Sequence, residues 1–94
     1  MKVHIKKIIF DPSFEKSFEK YKNKLSDKKR NTLKERLLIF KKDPFDKKLK
    51  THKLKGNLKN YWSFSVNYSD RILFRFIDKE TVFFIEIGNH DVYK

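Results

Sequence analysis

This sequence predicts an α+β fold of order β-α-α-β-β-β, with a helical hairpin on one face of a mostly antiparallel sheet. Three observations carry that expectation. Two stretches between residues 11 and 43 repeat apolar residues at helical spacing, and each carries its own start or stop signals. Three short stretches after residue 60 alternate in the manner of strands. Ten Phe, four Tyr and one Trp supply large buried areas to a chain that is only 38% hydrophobic.

At 94 residues the chain is expected to form one domain, residues 1–94, which buries roughly 60–65% of its unfolded surface and needs an efficient core. Val3 to Phe10 reads as a first strand, rich in β-branched residues and without a helical period. Asp11-Pro12 then starts a helix, with Asp as N-cap and Pro at the first helical position. Phe14, Phe18, Tyr21 and Leu25 form one face of it. Ser26 caps a second helix whose stripe is Leu33, Leu37 and Phe40, widened by Leu38 and Ile39. Asp43-Pro44 ends it, because proline cannot continue a helix and disfavours helical backbone just before itself.

Residues 43–60 have no sustained period, and His52 lies there in a short extended piece that ends at Gly56. Residues 61–67 place Trp62, Phe64 and Val66 on one face and Ser63 and Ser65 on the other. Residues 71–77 place Ile72, Phe74 and Phe76 opposite Arg71, Leu73, Arg75 and Ile77. Thr81 to Ile87 is apolar on both faces apart from Glu86, as suits a central strand, and Gly88 ends it. The helices are expected to cover the Trp62, Phe64, Ile72 and Phe74 face. That leaves the face with Ser63, Ser65, Arg71 and Arg75 available.

Twenty-four Lys+Arg against twelve Asp+Glu give a formal charge of +12, and residues 16–59 hold 17 of the basic residues. A field of this size attracts polyanions and acidic proteins. Lys28 to Arg36 could bind ribosomal RNA or form a solvated helix face. There is no cysteine, so disulfides, zinc–thiolate sites and thiol catalysis are excluded. No acid cluster suggests a metal cage, and no cofactor motif is present. Met1 to Lys7 lacks the apolar core and cleavage site of a signal peptide, and no run approaches a membrane span, so a soluble, cytoplasmic protein is expected.

The chemistry-bearing residues concentrate between Thr51 and Tyr93. There stand Thr51-His52-Lys53-Leu54-Lys55-Gly56, Tyr61-Trp62-Ser63, Asp70-Arg71-Ile72-Leu73-Phe74 and Gly88-Asn89-His90-Asp91-Val92-Tyr93. In this order, and with the β-α-α-β-β-β pattern, they resemble the RelE/ParE superfamily of small basic toxins from toxin–antitoxin pairs. The pattern is most similar to the YoeB-like and YafQ-like branches, which cleave mRNA in the ribosomal A site. The resemblance implies roles for named residues. His52 matches the general base, Arg71 the stabiliser of phosphate charge, and His90 the general acid. Tyr93 would pack on a substrate base, and Lys53, Lys55, Arg75, Ser63 and Ser65 would line the substrate path. Many relatives carry basic residues where this chain has Ser63 and Ser65. The implied partners are an acidic antitoxin, the ribosomal A site and mRNA, with no membrane.

The proposed chemistry suits those residue types. Metal-free RNA cleavage sends the 2′-hydroxyl against the adjacent phosphorus. It needs a base, a cation for the charged phosphorane and an acid for the departing 5′-oxygen. Imidazole serves both proton roles near neutral pH, and guanidinium binds phosphate oxygens as a fork. Plainer readings exist for each residue: His52 exposed in a lysine-rich loop, Arg71 paired to Asp70 in a turn, Trp62 simply packed in the core and His4 a structural or exposed residue of the first strand. Two other functions stay open on sequence, a ParE-type gyrase inhibitor of the same fold and a catalytically silent RNA- or ribosome-binding module.

Overall fold

In the computed structural model, residues 4–56 and 60–89 are described. The elements are β1 (Lys7–Phe10), α1 (Pro12–Asn23), α2 (Asp27–Lys42), a 3₁₀ turn (Lys47–Leu49), β2 (His52–Lys53), β3 (Trp62–Ser65), β4 (Asp70–Phe76) and β5 (Thr81–Asn89). The sheet order is β1-β5-β4-β3-β2. Only β1 and β5 run parallel; the other pairs are antiparallel. The expected α+β architecture is therefore present, with one short edge strand added by the His52 segment.

Local signals set the helices. The Asp11 carboxylate accepts from the Ser13 N–H at 2.9 Å, and Pro12 opens α1. The Ser13 hydroxyl, followed by the Ser13 N–H, holds the Asp11 carboxyl below the usual carboxylate range. The Ser26 hydroxyl accepts from the Lys29 N–H and caps α2. Extended backbone at Asp43, just before Pro44, ends that helix.

The two helices cover the predicted sheet face. Phe40 is fully buried, stacked on Phe64 with ring centroids 4.3 Å apart and edge-on to Phe74 and Phe84 at 5.1 and 5.5 Å. Phe14 completes the layer against Phe84, Phe10 and Phe18. Trp62 is packing, as one expectation had it: it meets Phe45 and Phe76 edge-on.

Several expectations need correction. The first strand begins at Lys7, not Val3: the Ile5 N–H donates to the Lys41 carbonyl and the Lys6 N–H to Glu80, so this stretch ties the end of α2 to the β4–β5 turn. His4 is exposed ahead of the strand. Leu25 lies past the end of α1, and Leu38 is 56% exposed, outside the stripe it was expected to widen. Gly88 does not end the last strand, because Gly88 pairs Arg71 and Asn89 pairs Asp70. Within β5 the register skips Ile85, since Leu73 faces Glu86 while Phe74 faces Phe84. That bulge lets Val82, Phe84 and Ile87 all be buried although their spacing is two and then three.

One polar cluster joins α1 to the start of β4. The Tyr21 hydroxyl donates to the Asp70 carboxylate, and the Asn67 amide donates to both at 2.9 and 3.1 Å. The Asn67 side-chain oxygen accepts from the Ser69 and Asp70 N–H groups and shapes the β3–β4 turn. Burial, followed by the hydrogen bond and charge of Asp70, pushes the Tyr21 hydroxyl well above the usual phenol range.

Two outcomes follow for stability. Phe40→Ala should cost about 3–5 kcal/mol in urea unfolding, whereas Leu38→Ala should stay within about 0.5 kcal/mol. Tyr21→Phe should cost about 1–2 kcal/mol through the lost donor to Asp70. Because the folded state holds the Tyr21 proton more tightly, this contribution is intact below pH ~10, the ordinary phenol value, and is lost as pH rises beyond it. Unfolding measured between neutral and strongly alkaline pH should therefore lose a component in Tyr21→Phe.

Candidate active site

The site builds from the strand period. Phe64 and Ile72 face the core, so their neighbours Ser63, Ser65 and Arg71 point to the other face. His52 pairs with Ser63, and Ser65 pairs with Arg71, which places His52 and Arg71 on that same face. They stand two strands and two residues apart, roughly 12 Å between Cα atoms from strand spacings of ~4.8 Å and rises of ~3.3 Å. Gly88, without a side chain, lies opposite Arg71 on β5.

Each of the two groups is held by a specific bond. The Arg71 Nη1 donates to the Ser65 hydroxyl at 2.6 Å, while its Nε–H is buried without a hydrogen-bond partner among the described residues. The turn ion pair with Asp70 does not form, because Asp70 is taken up by Tyr21, Asn67 and Ser69. His52 Nδ1 lies 3.1 Å from the Lys50 carbonyl. A carbonyl only accepts, so Nδ1 carries the proton and Nε2 holds the lone pair of the neutral ring. Lys50 stands in the left-handed region at φ 51°, as the cap of the 3₁₀ turn, and so turns its carbonyl to the histidine.

The other expected residues divide. Lys53 pairs with Trp62, so it projects from the opposite side of β2 to His52, and Lys55 is exposed beyond that strand. Arg75 lies four residues along β4 from Arg71 and covers the Phe83 ring at 5.5 Å. Ser63 and Ser65 were expected on an open polar face; they are 0% and 8% exposed. Ser65 acts on Arg71, and the buried Ser63 presents no open surface. Asn89 is the last described residue of the C-terminal motif, so His90, Asp91 and Tyr93 lie outside the described residues.

A cleft of ≈ 260 Å³ opens beside Arg71, lined by Arg36, Lys48, Lys50, Ser65, Asn67, Tyr68 and Arg71. Arg36, Lys48 and Lys50 were not singled out as site residues from sequence. A signal existed for Arg36: three residues after Leu33 and four before Phe40, it flanks the buried stripe of α2 rather than its solvated side. A larger hollow of ≈ 610 Å³, lined by Phe10, Phe14, Phe18, Glu15, Lys16 and Glu19, has aromatic walls but no acid–base pair suited to this chemistry. Among the described residues no group of three or more His, Asp or Glu is placed to hold a metal, and no helix is long and apolar enough to cross a membrane.

Residues 6–93 match the family described as "Bacterial toxin of type II toxin-antitoxin system, YafQ". No match was found among curated protein sequences. Among solved structures, YafQ from E. coli strain BL21(DE3) is 25% identical with a TM-score of 0.68, over 88% of this chain and 91% of that one. YafQ in the E. coli DinJ-YafQ toxin-antitoxin complex is 20% identical with a TM-score of 0.71, over 93% and 96%. A YoeB/ParE toxin from Agrobacterium tumefaciens is 20% identical with a TM-score of 0.71, over 89% and 98%. The latter two likenesses speak for the fold alone; the family match spans nearly the whole sequence. This chain therefore belongs to the YafQ family of bacterial type II toxin–antitoxin toxins, within the RelE/ParE superfamily.

Proposed function

We propose that this toxin is a ribosome-dependent mRNA endonuclease. Support comes chiefly from one juxtaposition: His52, with its Nδ1 proton committed to the Lys50 carbonyl, and Arg71, with its fork held by Ser65, share one sheet face. In this reading His52 Nε2 takes the proton of the 2′-hydroxyl as that oxygen attacks phosphorus. The Arg71 guanidinium binds the non-bridging oxygens as charge accumulates on the phosphorane. His90 gives a proton to the departing 5′-oxygen, and the RNA is left with a 2′,3′-cyclic phosphate. Tyr93 stacks on a base. Lys53, Lys55 and Arg75 serve the long-range attraction of RNA rather than the reacting phosphate.

The ribosome supplies what so small a protein lacks, an mRNA strand splayed and held in one geometry. The second partner is an antitoxin, as E. coli YafQ has in its complex with DinJ. A +12 chain favours an acidic partner whose disordered segment folds on it.

His52→Ala and His90→Ala should each lower cleavage of ribosome-bound mRNA by roughly 10²–10⁴-fold, the usual worth of a positioned acid or base. Arg71→Ala should cost on the order of 10²–10³-fold, and Arg71→Lys should fall between, since it keeps the charge and loses the fork. Full activity in both histidine variants would move the assignment to a gyrase-inhibiting toxin, which needs no proton-transfer pair. In cells, co-expressed antitoxin should abolish growth arrest by the wild-type chain, and unrelieved arrest would contradict the partner assignment.

A further inference from the structure

The cleft beside Arg71 contains more cationic chemistry than a single scissile phosphate uses. Among the described residues, four cationic residues line it, Arg36, Lys48, Lys50 and Arg71, and no carboxylate does. Among the described residues, several acids close in sequence to its lining are committed elsewhere. Asp43 and Asp46 accept from the Phe45 and Lys48 N–H groups, and Asp70 is held by Tyr21 and Asn67. The ion pairs found among the described residues, Lys6–Glu80, Lys22–Glu19 and Arg30–Asp27, involve none of the cleft's cations.

Arg36 and Arg71 share one unusual feature. Each has a buried Nε–H without a hydrogen-bond partner among the described residues, although each guanidinium has a terminal nitrogen satisfied. Arg36 Nη1 donates to the Lys48 carbonyl at 2.7 Å, and Arg71 Nη1 to Ser65. These Nε–H groups are closed to solvent, so what each guanidinium can offer an anion in the cleft is its remaining terminal N–H donors. The Ser65 oxygen accepts from Arg71 and keeps its own proton to donate. The loop also joins this cleft to the proposed base: Lys48 offers its carbonyl to Arg36, and Lys50, two residues on, offers its carbonyl to His52.

We infer that Arg36, Lys48 and Lys50 form a second phosphate-binding subsite, which grips the substrate strand at the phosphodiester next to the one served by Arg71. This rests on the nuclease reading for the identity of the strand, but the binding chemistry stands without cleavage. Arg36 is the fork and Lys50 the mobile point charge. Neither is a catalytic residue; both act by fixing the register of the RNA between His52 and Arg71.

The test is binding of a fluorescein-labelled, fully 2′-O-methylated hexanucleotide RNA, which cannot be cleaved by its own 2′-oxygens, to the full-length protein. Fluorescence anisotropy across a salt series is read beside urea unfolding. Arg36→Gln and Lys50→Gly should each weaken binding by roughly three- to tenfold, the worth of one charge-assisted contact. Each should also reduce the log–log salt slope by about 0.7. Arg36→Gln also removes a bond to the Lys48 carbonyl, so it can loosen the fold. Lys50→Gly guards against that, because glycine suits φ 51° and the lysine side chain is exposed, so its urea midpoint should hold or rise. Wild-type affinity and salt slope in Lys50→Gly and in folded Arg36→Gln would overturn the subsite, as would failure of the wild-type protein to bind the hexanucleotide. Weakened binding in these variants supports it even if the wild-type protein cuts no mRNA, an outcome that would sink only the nuclease reading.

Discussion

Phe40 decides which way the sheet faces. Its ring stacks on Phe64 and meets Phe74 and Phe84 edge-on, and none of these residues is more than 1% exposed. Strand side chains alternate, so anchoring Phe64 under the helix fixes Ser63 and Ser65 on the opposite side, and anchoring Ile72 and Phe74 does the same for Arg71. A slip of one residue in β3 or β4 would turn the arginine into the helix-covered core and the phenylalanines out of it. The hydrophobic term thus specifies the position of the cation, and no polar interaction needs to hold the register. The Tyr21–Asp70–Asn67 cluster then refines the turn from which Arg71 emerges.

The loop from Pro44 to Lys53 does for His52 what the sheet does for Arg71. Leu49 is fully buried and anchors the 3₁₀ turn, the Asp46 carboxylate caps it, and the Thr51 hydroxyl donates to the Pro44 carbonyl. With its ends fixed, the backbone must turn through the left-handed cap at Lys50, and the carbonyl released there orients the imidazole. The Lys50 carbonyl thus helps to set the ring of a histidine on the same sheet face as Arg71.

The helices and the three long strands were legible in the sequence because their periods are strong and their caps explicit: Asp11-Pro12, Ser26 and Asp43-Pro44 all act as read. So was the core face of the sheet, through Phe64, Ile72 and Phe74. The skipped register at Ile85 was not, since a bulge makes both parities of a strand look apolar and imitates a strand buried on two sides. The burial of Ser63 and Ser65 escaped for a related reason: alternation assigns a face but not what covers it. Arg36 was lost among the surrounding lysines, although its position beside Leu33 and Phe40 sets it apart. Arg71 lies on the face expected for it, His52 joins it there through the short strand that the sequence did not show, and His90 lies beyond the described residues.

The chemistry proposed for this toxin is cleavage of RNA through the strand's own 2′-oxygen, with protein groups and no metal driving the proton transfers. It is tested most directly on ribosomes programmed with an mRNA that carries a single 2′-deoxy nucleotide at the scissile position, in buffer with the protein's cut site first mapped on all-ribose mRNA. Attack by the 2′-oxygen should leave a 2′,3′-cyclic phosphate at the end of the all-ribose fragment and no cut at the deoxy position. Cleavage at the deoxy position, or no ribosome-dependent cut of the all-ribose message, would contradict it.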